Sequence, residues 1–176
     1  GDARGEHVDG CAAAARGTTE CTYGREHPDG ARKGLNPPLL GANAVDWNTG
    51  GPVFRPWVIK EVATRPGQPP LKVGILGLVT PGVAIWDKAN VEGKMTFPGL
   101  VEQAKVWVPR LRSMGADVVL VAAHSGADTS SSYGDSLPWP ANASTLVAQQ
   151  VPGIIAILVG HAHAEIAQRI VPNEPT

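Results

Sequence analysis

The sequence predicts an α/β domain, a largely buried sheet whose strands alternate with helices lying on its faces. Three observations carry this. Residues 71–80 (LKVGILGLVT), 118–123 (VVLVAA) and 154–159 (IIAILV) are continuous apolar runs rather than alternating ones, the pattern of strands covered on both faces. Helical patterns separate them: Val101, Ala104, Val108, Leu111 and Met114 recur at helical spacing in 101–114, and a shorter helix is expected over 142–150. Finally, 176 residues with 43% hydrophobic and 18% charged side chains suffice for one domain with a real core.

Taken in order, residues 1–38 are weakly patterned apart from the alanine run Ala12–Ala15. LLGANAV (39–45) and FRPWVIKEV (54–62) read as strands, and Pro56 places the second at a sheet edge because proline has no N–H for a ladder. RPGQPP (65–70) is a turn region, and Pro81-Gly82 stops the strong strand that follows it. In the helix over 101–114, Pro109 removes one backbone donor and predicts a kink, and Gly115 is placed as the stop. The apolar run 118–123 ends on His124 and opens into a glycine- and serine-rich loop. Pro152-Gly153 breaks the chain before Ile154–Val159, and IAQRIV (166–171) reads as one more strand.

A formal net charge of −1 gives no basic excess of the kind a nucleic-acid polymer or anionic membrane surface attracts. No apolar run approaches the ~18 residues of a membrane span. The opening GDARGEHVDG lacks the charged start and apolar centre of a signal peptide, and the initial Gly suggests a processed product or a piece of a longer protein. Two cysteines, Cys11 and Cys21, are too few for a disulfide scaffold and leave the redox compartment undetermined.

Function is concentrated in the histidines. The run VPGIIAILV ends on Gly160 and then His161-Ala162-His163, an H-x-H in which both rings aim to one side of an extended segment. Gly160 permits a sharp turn or close approach of a ligand. His124 and His161 both follow strand ends, where the chemistry of such sheets gathers, so the two are expected to be neighbours. A single histidine after a strand is ordinarily a satisfied polar residue. An H-x-H demands two partners at once, and with His124 the set suits a divalent metal such as Zn, Mn, Fe or Co. His7 and His27 lie in polar loops and are read as surface residues. Ser125 and the serines at 130–132 lack a G-x-S-x-G elbow, and Asn142-Ala143-Ser144 fits a glycosylation sequon, a pattern common by chance.

These residues resemble a known family. VVLVAAHSGAD followed by VPGIIAILVGHAHAEI looks like the last two metal motifs of the calcineurin-like metallophosphoesterases, in the branch of the 5'-nucleotidases and the 2',3'-cyclic-nucleotide phosphodiesterase/3'-nucleotidases. LLGANAVD, PWVIKEV, KVGILGLVTP and FPGLVEQAKVWVPRLRSMGADVV match connecting segments of that branch, so the resemblance covers about residues 39 to 171. It implies a sheet sandwich flanked by helices, with two divalent metals (Zn, Mn, Fe, or Mg/Ca) at the strand ends. His124 and His161 would bind one metal and His163 the other. It further implies a nucleotide or other phosphoester as substrate, no nucleic-acid polymer as partner, and a secreted, periplasmic or cell-surface setting.

The match fails before residue 39. GTTECTYG (17–24) lies where the family's G-N-H-E motif should fall, and Gly17, Glu20, Tyr23 and Gly24 agree with it. Thr18 stands in place of the metal-binding Asn, Thr19 in place of the catalytic His, and Cys21 in place of an apolar aromatic. No D-x-H occurs upstream, and Gly1-Asp2 lies too close to Gly17 for the usual G-D motif. Residues 1–38 are therefore expected to be a degenerate N-terminal part and 39–176 the domain core. The catalytic and substrate-binding residues stay unassigned.

Two readings remain open. One is metal-dependent hydrolysis of nucleotide phosphoesters; the other is an inactive fragment or pseudoenzyme that keeps a partial metal site for binding or structure. Amidohydrolases also use H-x-H, but near the start of an eight-stranded barrel for which this chain is too short.

Overall fold

The computed structural model describes Ala14–Ala15 and residues 39–128, 130 and 137–172. Cys11, Cys21, His7, His27, Asp2, the 17–24 segment and the serines at 131 and 132 lie outside the described residues. In chain order the first strands are β1 (Ala14–Ala15), β2 (Leu39–Leu40), β3 (Val45–Asp46), β4 (Trp57–Val62) and β5 (Leu71–Val79). Then come helices α1 (Val83–Trp86) and α2 (Lys88–Val91), strand β6 (Met95–Thr96), helix α3 (Leu100–Ser113), strand β7 (Val118–His124), helix α4 (Ser144–Gln150) and strand β8 (Ile154–Val159).

The main sheet has the order β4-β5-β7-β8. β4 pairs antiparallel with β5 through the 63–70 turn, whereas β5 with β7, and β7 with β8, pair parallel. Side chains alternate across it. Leu76 and Leu78 of β5 and Val119, Val121 and Ala123 of β7 face the helices, where they meet Leu100, Ala104, Val108 and Leu111 of α3 and Val147 of α4. This is the apolar stripe expected from the sequence, buried against the sheet it needs. On the opposite face Val73 and Ile75 lie beside Val118, Leu120 and Ala122, under Leu40 and Val58.

A second thin layer covers that opposite face. β1 and β2 pair parallel with each other and lie against β5, and β1 also against β7. Gly77 makes this contact possible: a Cβ there would fall 2.3 Å from Leu40 Cβ and 2.8 Å from the Leu40 carbonyl carbon. Ala42 N–H then donates to Gly77 O at 2.7 Å, joining the layers backbone to backbone.

α3 ends as the sequence predicts. Gly115 takes φ +94°, its N–H donates to Arg112 O, and Ala116 N–H donates to Leu111 O, the two bonds of a Schellman cap. Arg112 then fastens the crossover, donating to Asp117 O and to Gly153 O just before β8. The helix runs continuously from Leu100 to Ser113 with Pro109 inside it.

The carboxyl end of β5 is held by a buried amide. Asn43 accepts from Val79 N–H at 2.8 Å and donates to Val79 O at 2.6 Å and Pro98 O at 3.0 Å. Asn43 stands in for the missing neighbour strand at Val79 and pulls the 97–99 segment onto the sheet end.

Three expectations are corrected. Ile154–Val159, expected to be a central strand covered on both faces, is an edge strand among the described residues, with Ile155 60% and Leu158 68% exposed. Residues 166–171 form no strand, and 39–45 is two residues of strand, a turn and the start of another rather than one strand. An apolar run signals a strand that is fit for burial, but which neighbours cover it depends on segments far away in sequence. The edge position of the 54–62 strand and the α/β class stand as expected.

Asn43→Ala should destabilise the chain by about 2–4 kcal/mol, because it leaves the buried N–H and carbonyl of Val79 and the part-buried carbonyl of Pro98 without this partner. Urea unfolding with an unchanged m-value checks this; a loss below ~1 kcal/mol would mean that water replaces the amide.

Candidate metal centre at the strand ends

Parallel register decides where the histidines meet. His124 ends β7 directly opposite Val79, and Val159 ends β8 opposite Ala123, so both chains leave the sheet at one level. His124 projects on the face of Val118, Leu120 and Ala122, away from α3. The chain after β8 turns back over that same end. Ala162 N–H donates to Gly160 O at 2.9 Å around His161, whose φ is +73°. An i to i+2 bond around a residue of this φ is the rarer, strained hand of γ-turn. His163 is also left-handed, at φ +52°.

Gly160, in contrast, has an open surrounding and no positive φ; the two histidines themselves take the conformation expected of a glycine. Strain at non-glycine residues persists where neighbours over-determine it, and such positions cluster at functional sites. The neighbour here is Gly126: a Cβ on it would lie 2.7 Å from Ala162 Cβ, so the loop after β7 supports the residue between the two histidines.

As a result the His124 and His161 rings lie 5.1 Å apart between centroids, tilted by 58°. On its other side His161 meets the indole of Trp86 at 4.9 Å, with an interplanar angle of 33°. His163 is exposed.

The loops beneath are tied by hydroxyls and one amide. Thr80 Oγ1 donates to Ala141 O, and Thr80 N–H donates to His124 O. Ser125 Oγ donates to Ala141 O and accepts from Ala143 N–H, while Ser144 Oγ donates to Ser125 O. Asn142 Oδ1 accepts from Gly126 N–H at 2.7 Å. Ser125 is thus a fully buried structural hydroxyl, not a nucleophile, and Asn142 is 5% exposed and closed to a glycan. Ser130 Oγ donates to Asp128 in the same loop.

Electrostatics fits the arrangement to neutral imidazoles. Burial above all, and then the nearness of His161, lowers the His124 pKa from its ordinary 6.5 to about 4. Burial, followed by His163, lowers that of His161. Neutral imidazole is the form that coordinates a metal. Two such neighbouring neutral rings at a partly buried strand end fit as ligands of one divalent ion. Among the described residues no three His, Cys, Asp or Glu side chains gather around one point, so a complete two-metal site is not furnished by them. The segment bearing Thr18 and Thr19 lies outside the described residues.

Sequence reasoning passed over Trp86, Thr80 and Asn43. Their roles depend on contacts between segments 36 to 75 residues apart, for which no local pattern exists.

No protein-family model matches the chain. Curated relatives do. Over 151 residues the chain is 41% identical to a 2',3'-cyclic-nucleotide 2'-phosphodiesterase/3'-nucleotidase of Salmonella typhimurium, spanning 84% of this chain and 23% of that protein. Over 154 residues it is 33% identical to the trifunctional nucleotide phosphoesterase protein YfkN of Bacillus subtilis, spanning 86% of this chain and 10% of the other. The crystal structure of calcineurin-like phosphoesterase YfkN from Bacillus subtilis superposes with a TM-score of 0.78 at 31% identity, covering 91% of this chain and 47% of that one. The chain thus spans less than a quarter of the length of the curated relatives it matches.

Two outcomes follow for the metal-free chain. His124 is held neutral in the fold with a pKa below its unfolded value, so its contribution to stability is complete above about pH 6.5 and is lost as pH falls towards about 4. Unfolding free energies measured in a chelator between pH 7 and 4 should fall more steeply for the wild type than for His124→Gln; parallel slopes would refute the assignment. At His163, Gly should be more stable than Ala by about 1 kcal/mol, because only glycine enters the left-handed region without a Cβ penalty. Equal melting temperatures for His163→Gly and His163→Ala would show that φ relaxes in solution.

Proposed function

We propose that this chain, which belongs to the calcineurin-like phosphoesterases, carries part of the metal site of an enzyme that hydrolyses nucleotide phosphoesters. The observation that carries the reading is the meeting of His124 and His161 at the ends of adjacent parallel strands, in a chain similar to 2',3'-cyclic-nucleotide 2'-phosphodiesterase/3'-nucleotidases.

In this reading His124 and His161 hold one divalent ion and His163 contributes to a second. When bound, the metals supply Lewis-acid polarisation of the phosphate and a nucleophile from water near neutral pH. The chain's own residues supply placement. β7 and β8 fix the two rings at one level, burial keeps the imidazoles unprotonated and ready to coordinate, and the left-handed turn at His161 aims its ring back over the sheet. The core of the domain is residues 39–176, and the setting is secreted, periplasmic or cell-surface. No described helix is long and apolar enough to cross a membrane.

A second reading, a chain that retains half of a metal site without appreciable catalysis, is favoured by one observation. Among the described residues the ligands stop at two facing imidazoles, and Thr18 and Thr19 replace the Asn and His of the family's third motif. Transition-state donors of this kind are commonly worth ~10²–10³ in rate each.

Hydrolysis of a 2',3'-cyclic nucleotide, of 3'-AMP, of AMP and of an aryl phosphate, with Mn²⁺ or Zn²⁺ added, separates the two. For the chain alone the expected turnover lies at least ~10²-fold below the usual ~1–10³ per second, and His161→Ala should abolish what remains. Turnover in the usual range that His161→Ala removes would eliminate the second reading. Activity that is indifferent to both metal and His161 would eliminate the first.

A further inference from the structure

We infer that Trp86 is the positioning residue for His161: its indole, wedged onto Gly82, fixes the imidazole in the orientation that faces His124. This rests on His161 being a metal ligand, as proposed above, and extends it to a residue outside the histidine motifs.

A metal-binding histidine is ordinarily oriented by a hydrogen bond from its second ring nitrogen to a carboxylate, carbonyl or water. Among the described residues no hydrogen bond holds the His161 ring. It lies instead between two other rings, Trp86 at 4.9 Å and His124 at 5.1 Å. Seated on a strained γ-turn, the imidazole is held among the described residues by ring packing.

The indole is itself tightly placed. A Cβ on Gly82 would fall 2.2 to 2.5 Å from three atoms of its six-membered ring, so only glycine leaves space for the ring. Trp86 N–H donates to Gly82 O at 3.0 Å, which closes the single turn that carries the indole. That turn is fastened at its N-terminal end to β7 and the loop after it: Gly82 N–H donates to Thr80 Oγ1, Thr80 Oγ1 donates to Ala141 O, and Thr80 N–H donates to His124 O. The backbone of His124 therefore holds the platform on which the ring over His161 stands. One short segment, Thr80 to Trp86, sets the relation between the two imidazoles.

The test is binding of Co²⁺ to the whole chain, read by calorimetry and by tryptophan fluorescence, for the wild type and for Trp86→Phe, Trp86→Ala, Gly82→Ala and His161→Ala. Co²⁺ at His161 should quench Trp86, and Trp86→Phe should remove most of the quench while keeping affinity within ~3-fold, since a flat ring still packs there. Partners that orient a ligand are typically worth 10–100-fold in metal affinity, so Trp86→Ala and Gly82→Ala should weaken Co²⁺ by ~10-fold or more, and His161→Ala should abolish it. If Trp86→Ala or Gly82→Ala binds like the wild type while His161→Ala does not, Trp86 has no positioning role although the metal reading survives. Equal weakening by Phe and Ala, or a quench that persists in Trp86→Phe, also overturns the inference. Should Trp86→Ala unfold, the Phe variant and the location of the quench decide alone. A wild type that binds no Co²⁺ overturns the metal reading and this inference with it.

Discussion

Parallel strands cannot be joined by a tight turn, and both parallel pairs of this sheet need long crossovers: 80–117 between β5 and β7, and 125–153 between β7 and β8. The longer helices of those crossovers, α3 and α4, lie on one face of the sheet, where they bury Leu76, Leu78, Val119 and Val121. The register that results is what brings the carboxyl ends of β5, β7 and β8 to one level. The loops leaving those ends, at Thr80, Ser125 and Gly160, have no choice but to share a small volume. The rest of the molecule is an answer to the polar groups gathered there.

That answer is made almost wholly of short side chains and bare backbone. Asn43 substitutes for a missing neighbour at Val79, Thr80 and Ser125 both reach Ala141 O, and Asn142 closes on Gly126. Buried amides and hydroxyls are costly unless paired, and here they are paired with backbone groups that the loops would otherwise leave open. The same density explains three glycines. Gly77 admits Leu40, Gly126 admits Ala162, and Gly82 admits Trp86. Each is demanded by space rather than by an unusual φ, since none has a positive one. At the ends of β7 and β8 the left-handed positions fall instead on His161 and His163.

The face away from α3 shows a different economy. β5 and β7 are covered there by Leu40 and Val58, whereas β8 carries Ile155 and Leu158 largely exposed. Its apolar character is that of an interior strand, but its surroundings among the described residues are those of an edge. The chain aligns with under a quarter of the length of its curated relatives and with 47% of the similar crystal structure.

The periodicities and their ends are legible in the amino-acid sequence. Continuous apolar runs marked β5, β7 and β8 because strands pressed on both sides have no polar face to show. Three- and four-residue spacing marked α3, and Gly115 its stop, because a Schellman cap requires a left-handed residue. The H-x-H after a strand marked the candidate site, since two imidazoles in adjoining positions are hard to satisfy without a common purpose. It took the folded chain to show that β8 is an edge among the described residues, that Gly160 is not the turning residue, that Ser125 and Asn142 are internal fastenings, and that Trp86 stands over His161. Each of these is a contact between segments distant in sequence. Local patterns record what a segment needs, burial or a partner, but the partner is chosen by register and loop path, which exist only once the chain has closed on itself.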